Sequence, residues 1–398
     1  MHPINSPRTF DFSIFGAISH DHLLRGRTGA LVDQLKKSGF FVYYFDIPPA
    51  SIMQYIKNPL DYDQGLLNFL FPHPRILKNT VIFSQPPVLP VARLEIGWIR
   101  KYTRGRYYWN IRKNYLPFYK KRGKPVVALV ETPWWYEIIK KMNFSLLCYD
   151  CIDDLRVFCK EKQLDYYTNL QRQLVNESDL ILISAQKLRP DILELRHDAP
   201  IEYLPNGVDA DFFITKGMNS TLPPKLKLLP KPIIGFVGSL FSWIDTKLLE
   251  ITAKKFPHCS IVLVGPVQGI EIPNLPNIHL TGPEPYQSIP AYINNFDVCL
   301  IPFIAGAVSE KVDPIKVYEY LSLGKPVVAI NLPELEKMKH LIYLAKNYED
   351  FIQLIHQALN EADPKLKLKR VEYAGQNSWA VRINNLIDVI SAELNKKI

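Results

Sequence analysis

The chain has 398 residues, 47% of them hydrophobic, with a mean hydropathy of −0.06, the balance of an ordinary soluble globular protein long enough for two cores. No uninterrupted apolar run is long enough to cross a bilayer, and the start, "MHPINSPRTFDF", lacks the charge-then-apolar plan of a signal peptide, so the cytoplasm is the expected compartment. Five scattered cysteines exclude a disulfide scaffold, and Cys148-x-x-Cys151 has no second Cys or His pair at zinc spacing. The net charge of +9 and the pI near 9.1 point to an anionic partner: nucleotide, lipid headgroup or nucleic acid.

Short β-branched runs alternate with longer helical patterns, which predicts an α/β protein built on parallel sheets. The first series of strands is expected at Phe12–Ile18, Phe40–Phe45, Thr80–Ser84, Pro125–Val130, Ser145–Tyr149, Leu180–Ile183 and Glu202–Leu204. A second series is expected at Pro232–Val237, Ser260–Val264, Ile278–Leu280, Val298–Ile301, Pro326–Ile330 and Leu341–Tyr343. Between them "TKGMNSTLPPKLKLLPKP" reads as a linker or exposed crossing. The economical architecture is two Rossmann-like domains facing each other across a cleft, residues 1–210 and 211–375, with a helix from about 376 to 398 packing back on the first.

In chain order, the first chemistry-bearing stretch is "GAISHDHLLRGRTGALVDQL", the passage from first strand to first helix. His20, Asp21, His22, Arg25 and Arg27 would line the cleft there and meet a donor phosphate or an anionic acceptor such as a lipid diphosphate. Exposed loop residues with no fixed partner are the plain alternative. From Arg93 to Lys124 eleven cations face Glu95 alone, interleaved with Trp98, Tyr102, Trp109 and other aromatics. That composition suits an in-plane membrane helix or an acidic-ligand surface, and equally a long surface helix with a solvated face. Glu131, at a strand end before "TPWW", is a cleft candidate, and Trp134 or Trp135 would stack on a sugar ring or pack in the core.

"YDCIDDL" closes a strand with Asp150, Asp153 and Asp154. A carboxylate at a parallel strand's carboxyl end can take the proton of an acceptor hydroxyl or orient that hydroxyl. One of them is also expected to cap the next helix, and Asp153 is the member favoured for function. Asn206-Gly207 makes a tight turn out of the first domain.

In the second domain, Gly238 of "IIGFVGSL" follows a strand and lets backbone amides approach an anion. "DPIKVYEYLSLGKPVV" then predicts a helix capped by Asp313, with Pro314 first and Gly324 at its end. Lys316 lies in the first turn, where the helix end already favours anions. With that N-terminus it would hold a phosphate, and Glu319 one turn on would accept from ribose hydroxyls. A solvated Lys316–Glu319 ion pair on the helix surface is the competing reading.

Taken in order, "YDCIDDL", "SDLILIS", "LPNGVDADFF", "IIGFVGSL", "YINNFDVCLIPF" and "DPIKVYEYLSLGKPVV" resemble the GT-B glycosyltransferases, in particular family-4-like bacterial enzymes that build cell-envelope polysaccharides of the teichuronic acid type. The resemblance implies a nucleotide-sugar donor on the second domain and a glycan or lipid-linked acceptor on the first. It implies that Glu319 holds the ribose, that Lys316 and the Gly238–Ser239 loop face the diphosphate, and that Tyr286 of "LTGPEPYQSIP" lies near the base. Catalysis would fall to Lys316 with Asp153 or Asp154, with His20, Arg25, Arg27 and Glu131 on the acceptor side. No metal and no cofactor beyond the nucleotide-sugar are expected, and no nucleic acid. The enzyme would be cytoplasmic, with peripheral contact to the inner membrane face through residues 93–124. The chain departs from the pattern at two points. Many such enzymes have two glutamates separated by seven residues, whereas Glu310 and Glu319 are separated by eight, Lys311 standing at the first position. Their arginine–lysine pair is absent, leaving only Lys247 in "FSWIDTKLL". Retaining or inverting outcome stays open, as do two competitors, a sugar-nucleotide epimerase of this architecture and a non-catalytic protein that binds membrane or nucleic acid.

Overall fold

The structure is a computed structural model that describes residues 9–18, 20, 26–47, 72–85, 97–157, 159, 161–306 and 308–397; side chains of the helix that begins at Gly97 are described from 101. The chain divides into two compact units, Met1–Ser184 with Leu188–Leu204 and Ile383–Ile398, and Ala185–Lys187 with Pro205–Arg382.

The first unit is an eight-stranded sheet with helices on both faces. Its elements run β1 (Asp11–Phe15), α1 (Gly26–Lys37), β2 (Val42–Phe45), β3 (Arg75–Leu77), β4 (Thr80–Phe83), α2 (Gly97–Arg122), β5 (Val126–Val130), α3 (Tyr136–Ile139), β6 (Leu146–Cys151), α4 (Leu164–Glu177), β7 (Leu180–Ile183), α5 (Arg189–Leu195) and β8 (Ile201–Tyr203). The order across the sheet is β3-β4-β2-β1-β5-β6-β7-β8, parallel except for the edge strand β3. β3 was not anticipated, because three residues are too few for a periodicity. Runs such as "VVALV" and "LILI" are buried along their whole length, as strands covered on both faces must be.

One face packs on α1 through Leu31, Val32 and Leu35 and on the carboxyl-terminal residues Ile383, Leu386, Ile387 and Ile390. The other carries an aromatic row. Phe15, Phe45 and Phe83 are in register on β1, β2 and β4 and stack at 4.4 and 4.9 Å. Tyr115 of α2 meets Phe45 and Phe83 edge-on. The buried residues of α2, Arg104, Tyr107, Ile111 and Tyr115, recur at helical spacing and form one stripe, anchored at the far end by the Arg122–Asp11 ion pair. Trp135 is fully buried with its indole N–H on Gly16 O, so it is a core residue.

The second unit runs α6 (Ala210–Met218), β9 (Ile233–Val237), α7 (Thr246–Lys255), β10 (Ser260–Val264), β11 (Ile278–Gly282), α8 (Ile289–Asn295), β12 (Val298–Ile301), α9 (Ile315–Ser322), β13 (Val327–Ile330), β14 (Tyr343–Ala345), α10 (Tyr348–Leu359), α11 (Pro364–Gln376) and α12 (Trp379–Lys397), whose last part belongs to the first unit. The sheet order β11-β10-β9-β12-β13-β14 is all parallel and reverses direction between β9 and β12. Ligands of open α/β sheets sit outside the carboxyl ends of strands at such a reversal. β14 begins two residues later than expected, because Leu341 and Ile342 close the preceding turn onto Met338.

Helix α9 ends as "SLGK" suggests. Gly324 has φ +67°, its N–H donates to Leu321 O, and Lys325 N–H reaches back to Tyr320 O at 3.1 Å, the double closure of a Schellman motif. A Cβ on Gly324 would also lie 2.5 Å from Lys367 Cγ. Gly324→Ala should therefore destabilise the second unit by about 1–2 kcal/mol, read as a lower urea midpoint at unchanged slope; an unchanged midpoint would remove this account of the helix end.

Candidate functional site

The point of reversal in the second unit is physically open. β9 and β12 share register only at Ile234–Val298 and Gly235–Cys299. Beyond that the strands part, and the N–H of Val237 has no strand to meet. The hydroxyl of Tyr320, on α9, accepts it at 2.9 Å. This ties α9 to the end of β9 and holds the parting open. The next residue, Gly238, has φ +151°, and a Cβ there would come within 3.5 Å of Lys316 Cε. Lys316 thus lies over the Gly238 turn, its ammonium 3.1 Å from Glu319 Oε2. Lys316 is half-buried and Glu319 is 4% exposed.

Four expectations change in detail. The ion pair forms, but it is not a solvated surface pair: Val317 through Ser322 are all buried, so α9 is enclosed all round and Glu319 sits inside it. Asp313 does not cap α9. The helix starts one residue later, with Pro314 as the cap residue. The buried Asp313 carboxylate instead accepts from Asn206 N–H at 2.7 Å and from Tyr318 O–H, with Lys337 at 3.5 Å. Burial raises its pKa, and Lys337 and Asn206 pull against that rise. The Gly238 N–H is not available to an anion, since it extends the ladder to Val264 O; among the described residues it is the Ser239 amide and hydroxyl that have no partner. Tyr286 stacks face to face on Phe212 at 5.1 Å, which places one side of its ring in packing against α6.

Gly265 was missed. It follows β10 as Gly238 follows β9, with φ +144°, and a Cβ there would stand 2.0 Å from Gly238 O. The signal was present: "VLVGP" repeats the strand-then-glycine form of "GFVGS". Tyr320 was missed because a tyrosine inside an apolar helical arc reads as core.

In the first unit the reversal lies between β1 and β5, and charged groups gather at the carboxyl ends there. Arg27 grips Asp150 with two hydrogen bonds of 2.9 and 2.8 Å and donates to Leu204 O; both side chains are almost wholly buried. Arg27 is therefore a fixed internal cation rather than an exposed contact for phosphate. Glu131 is buried beside this pair. Its Oε2 accepts from Ala17 N–H at 2.9 Å and Thr28 O–H at 2.7 Å, while Oε1 has no partner. Burial, with the Asp150 charge, pushes the Glu131 carboxyl up to about 7 against the pull of Ala17, Thr28 and Arg27.

Of the aspartates after β6, Asp154 is the cap: it accepts from Arg156 N–H and pairs with the Arg156 guanidinium at 2.7 Å, so its oxygens are committed locally. Asp153 is half-buried, and no hydrogen bond to its carboxylate is formed among the described residues. Burial raises it to about 6, with Arg27 opposing and Asp154 and Asp150 adding. His20 turns its ring edge to Tyr44 and donates its backbone N–H to Asp46. Asp21, His22 and Arg25 lie outside the described residues. Among the described residues no group of three or more His, Cys, Asp or Glu is arranged to hold a metal ion, and no helix is long and apolar enough to cross a membrane. The cysteines are free.

Residues 231–361, all within the second unit, match the family model of glycosyl transferases group 1. The Bacillus subtilis strain 168 protein TuaH, named for a glycosyltransferase of teichuronic acid biosynthesis, is 29% identical over 187 residues, 44% of this chain and 46% of TuaH; the match spans just under half of that relative. Among solved structures, sucrose-phosphate synthase from Thermosynechococcus elongatus superposes with a TM-score of 0.68 at 12% identity, covering 97% of this chain and 99% of that one. Anabaena HepE, in complex with UDP and glucose, gives a TM-score of 0.61 at 13% identity over 96% and 99%. The fold is that of the GT-B glycosyltransferases.

The Glu131 environment has a consequence for stability. A carboxyl held near 7 in the native state and near 4.5 when unfolded stabilises the fold fully below about pH 4.5, and that contribution is lost as pH rises through 7. Glu131→Gln can keep both accepted bonds without the charge. Its melting temperature relative to wild type should rise steadily between pH 5 and 7.5, by an amount equivalent to about 3 kcal/mol at most; a pH-independent difference would show that Glu131 does not titrate there.

Proposed function

We propose that the protein is a glycosyltransferase that moves a sugar from a nucleotide-sugar to a cell-envelope glycan or lipid-linked acceptor. The observation that carries this reading is the placement of Lys316 over the Gly238 turn at the parting of β9 and β12, with buried Glu319 one turn along. A diphosphate at the turn would meet the Lys316 ammonium and the Ser239 amide. Ribose hydroxyls would replace Lys316 as donors to Glu319, leaving the ammonium for the phosphates. As the glycosyl–oxygen bond breaks, the electron pair passes to the diphosphate, and these groups stabilise the charge that develops. The acceptor hydroxyl forms the new bond. Its proton goes to Asp153 if configuration inverts, or to the departing phosphate oxygen if it is retained. The bound UDP in the HepE structure supports a nucleotide on this fold.

Helix α2 supports a membrane-side acceptor. Opposite its buried stripe it presents Tyr102, Arg106, Trp109, Lys113 and Lys120, and both aromatics are nearly two-thirds exposed. The helix contains no acidic residue, and Lys101, Arg106, Arg112, Lys113, Lys120 and Lys121 have no ion-pair partner among the described residues. Cations and interfacial aromatics on one face suit an anionic bilayer, at roughly 1 kcal/mol per cation near the surface.

Replacing Lys316 by alanine should lower turnover by about two orders of magnitude or more with the melting temperature preserved, and Glu319→Ala should chiefly weaken nucleotide binding. Near-normal turnover in the first variant, or unaltered nucleotide affinity in the second, would refute the assignment. Wild-type protein should sediment with phosphatidylglycerol vesicles but not with phosphatidylcholine ones, and Lys113→Glu with Lys120→Glu should abolish the difference; equal sedimentation of all samples removes the membrane reading.

A further inference from the structure

Among the described residues, four buried side-chain atoms have no hydrogen-bond partner, and two of them, Arg104 Nη1 and Tyr107 O–H, belong to one turn of α2. Both residues lie against Trp134. The Arg104 guanidinium sits 3.5 Å from that ring's centroid, and the Tyr107 ring is 5.9 Å from it. Arg104 is 7% exposed and Tyr107 1%. The carboxylate of Glu137 lies 3.4 Å from Arg104 Nε and also accepts from Tyr166 O–H, so it satisfies one edge of the guanidinium and leaves the Nη1 edge bare.

A buried guanidinium with an unused donor, next to a buried phenol that also lacks a partner, is costly unless something accepts from both. The desolvation is large enough to draw the Arg104 pKa below its usual value, and the neighbouring Tyr166, Tyr167 and Glu137 offset it only in part. An oxyanion is the complement. An oxyanion has oxygens to accept from the guanidinium and from the phenol, and the half-buried Trp134, one face of which Arg104 covers, borders both donors. Trp134, Glu137, Tyr166 and Tyr167, the neighbours of Arg104, are only partly buried. Trp134 belongs to the short turn that follows β5, and Glu131 stands at that strand's end.

We propose that Arg104, Tyr107 and Trp134 form a binding site for a sugar that bears an oxyanion, phosphate or carboxylate, so that the acceptor is recognised by its charge. The acceptor clause rests on the glycosyltransferase reading; the oxyanion site does not. Calorimetric titration of the full chain with glucose 1-phosphate, glucuronate, inorganic phosphate and glucose tests it. Wild type should bind at least one of the two anionic sugars in the millimolar range and neutral glucose not detectably; whichever anionic sugar binds more tightly identifies phosphate or carboxylate as the group read. Tyr107→Phe, which keeps the ring and removes only the hydroxyl, should weaken that binding several-fold, and Arg104→Gln by about tenfold or more. If the Arg104 variant does not fold, the Tyr107 variant decides. UDP titrated into the same proteins reports the second unit separately and should be unchanged by either substitution. Failure of UDP to bind wild type would sink the donor assignment while leaving the oxyanion site standing. Wild type indifferent to all three anions, or equal anion affinity in wild type and Tyr107→Phe, would overturn the site.

Discussion

When two parallel strands part, the amides they no longer share need other acceptors. In the second unit the hydroxyl of Tyr320 takes the N–H of Val237 just where β9 leaves β12. Most of the geometry of the candidate site depends on that bond. It sets the height of α9 against the end of β9, and with it the position of Lys316 over the Gly238 turn and of Glu319 behind it. The Schellman closure at Gly324 fixes the other end of the same short helix. A helix of eight residues has little stability of its own, so its place is set by what holds it: a phenol at the sheet edge and a glycine at the exit.

The first unit solves a different problem, the housing of charge at the carboxyl ends of strands. Arg27 and Asp150 neutralise each other in full burial, which removes both as ligands and makes them the electrostatic floor for Glu131 and Asp153. Breaking such a pair would leave one buried charge uncompensated, a cost of several kcal/mol. The two remaining carboxyls are both raised, chiefly by burial, with the Asp150 charge adding to the rise and Arg27 opposing it.

Much of the fold was legible because parallel strands buried on both faces leave continuous apolar runs. "VVALV", "LILI", "SIVLV", "VCLI" and "VVAI" all mark strands of the two sheets. β3 was illegible, being three residues at an antiparallel edge with two of them exposed. In the site, the lysine in the first turn of α9 was readable from its conflict with the helix dipole, and the glycine exit from its position. Partner choice was not readable. Arg27 in a loop-to-helix passage looks like a surface cation, and only the fold brings Asp150, 123 residues away, beneath it. The same holds for Asp313, whose partner Asn206 is 107 residues distant. Local sequence names the side chain; long-range pairing decides whether it is spent internally.

The contact between Gly265 and Gly238 limits what the two turns can carry. The backbone oxygen of Gly238 occupies the space where a side chain on Gly265 would begin, so the two turns lie together only while position 265 has no Cβ. A larger residue at position 265 would have to displace the Gly238 turn, whereas at position 238 the first obstacles are the Phe236 ring and the Lys316 side chain. Variation in what this end of the unit can hold would then fall to the residues around the glycine pair, Ser239 among them, while the pair itself stays without side chains.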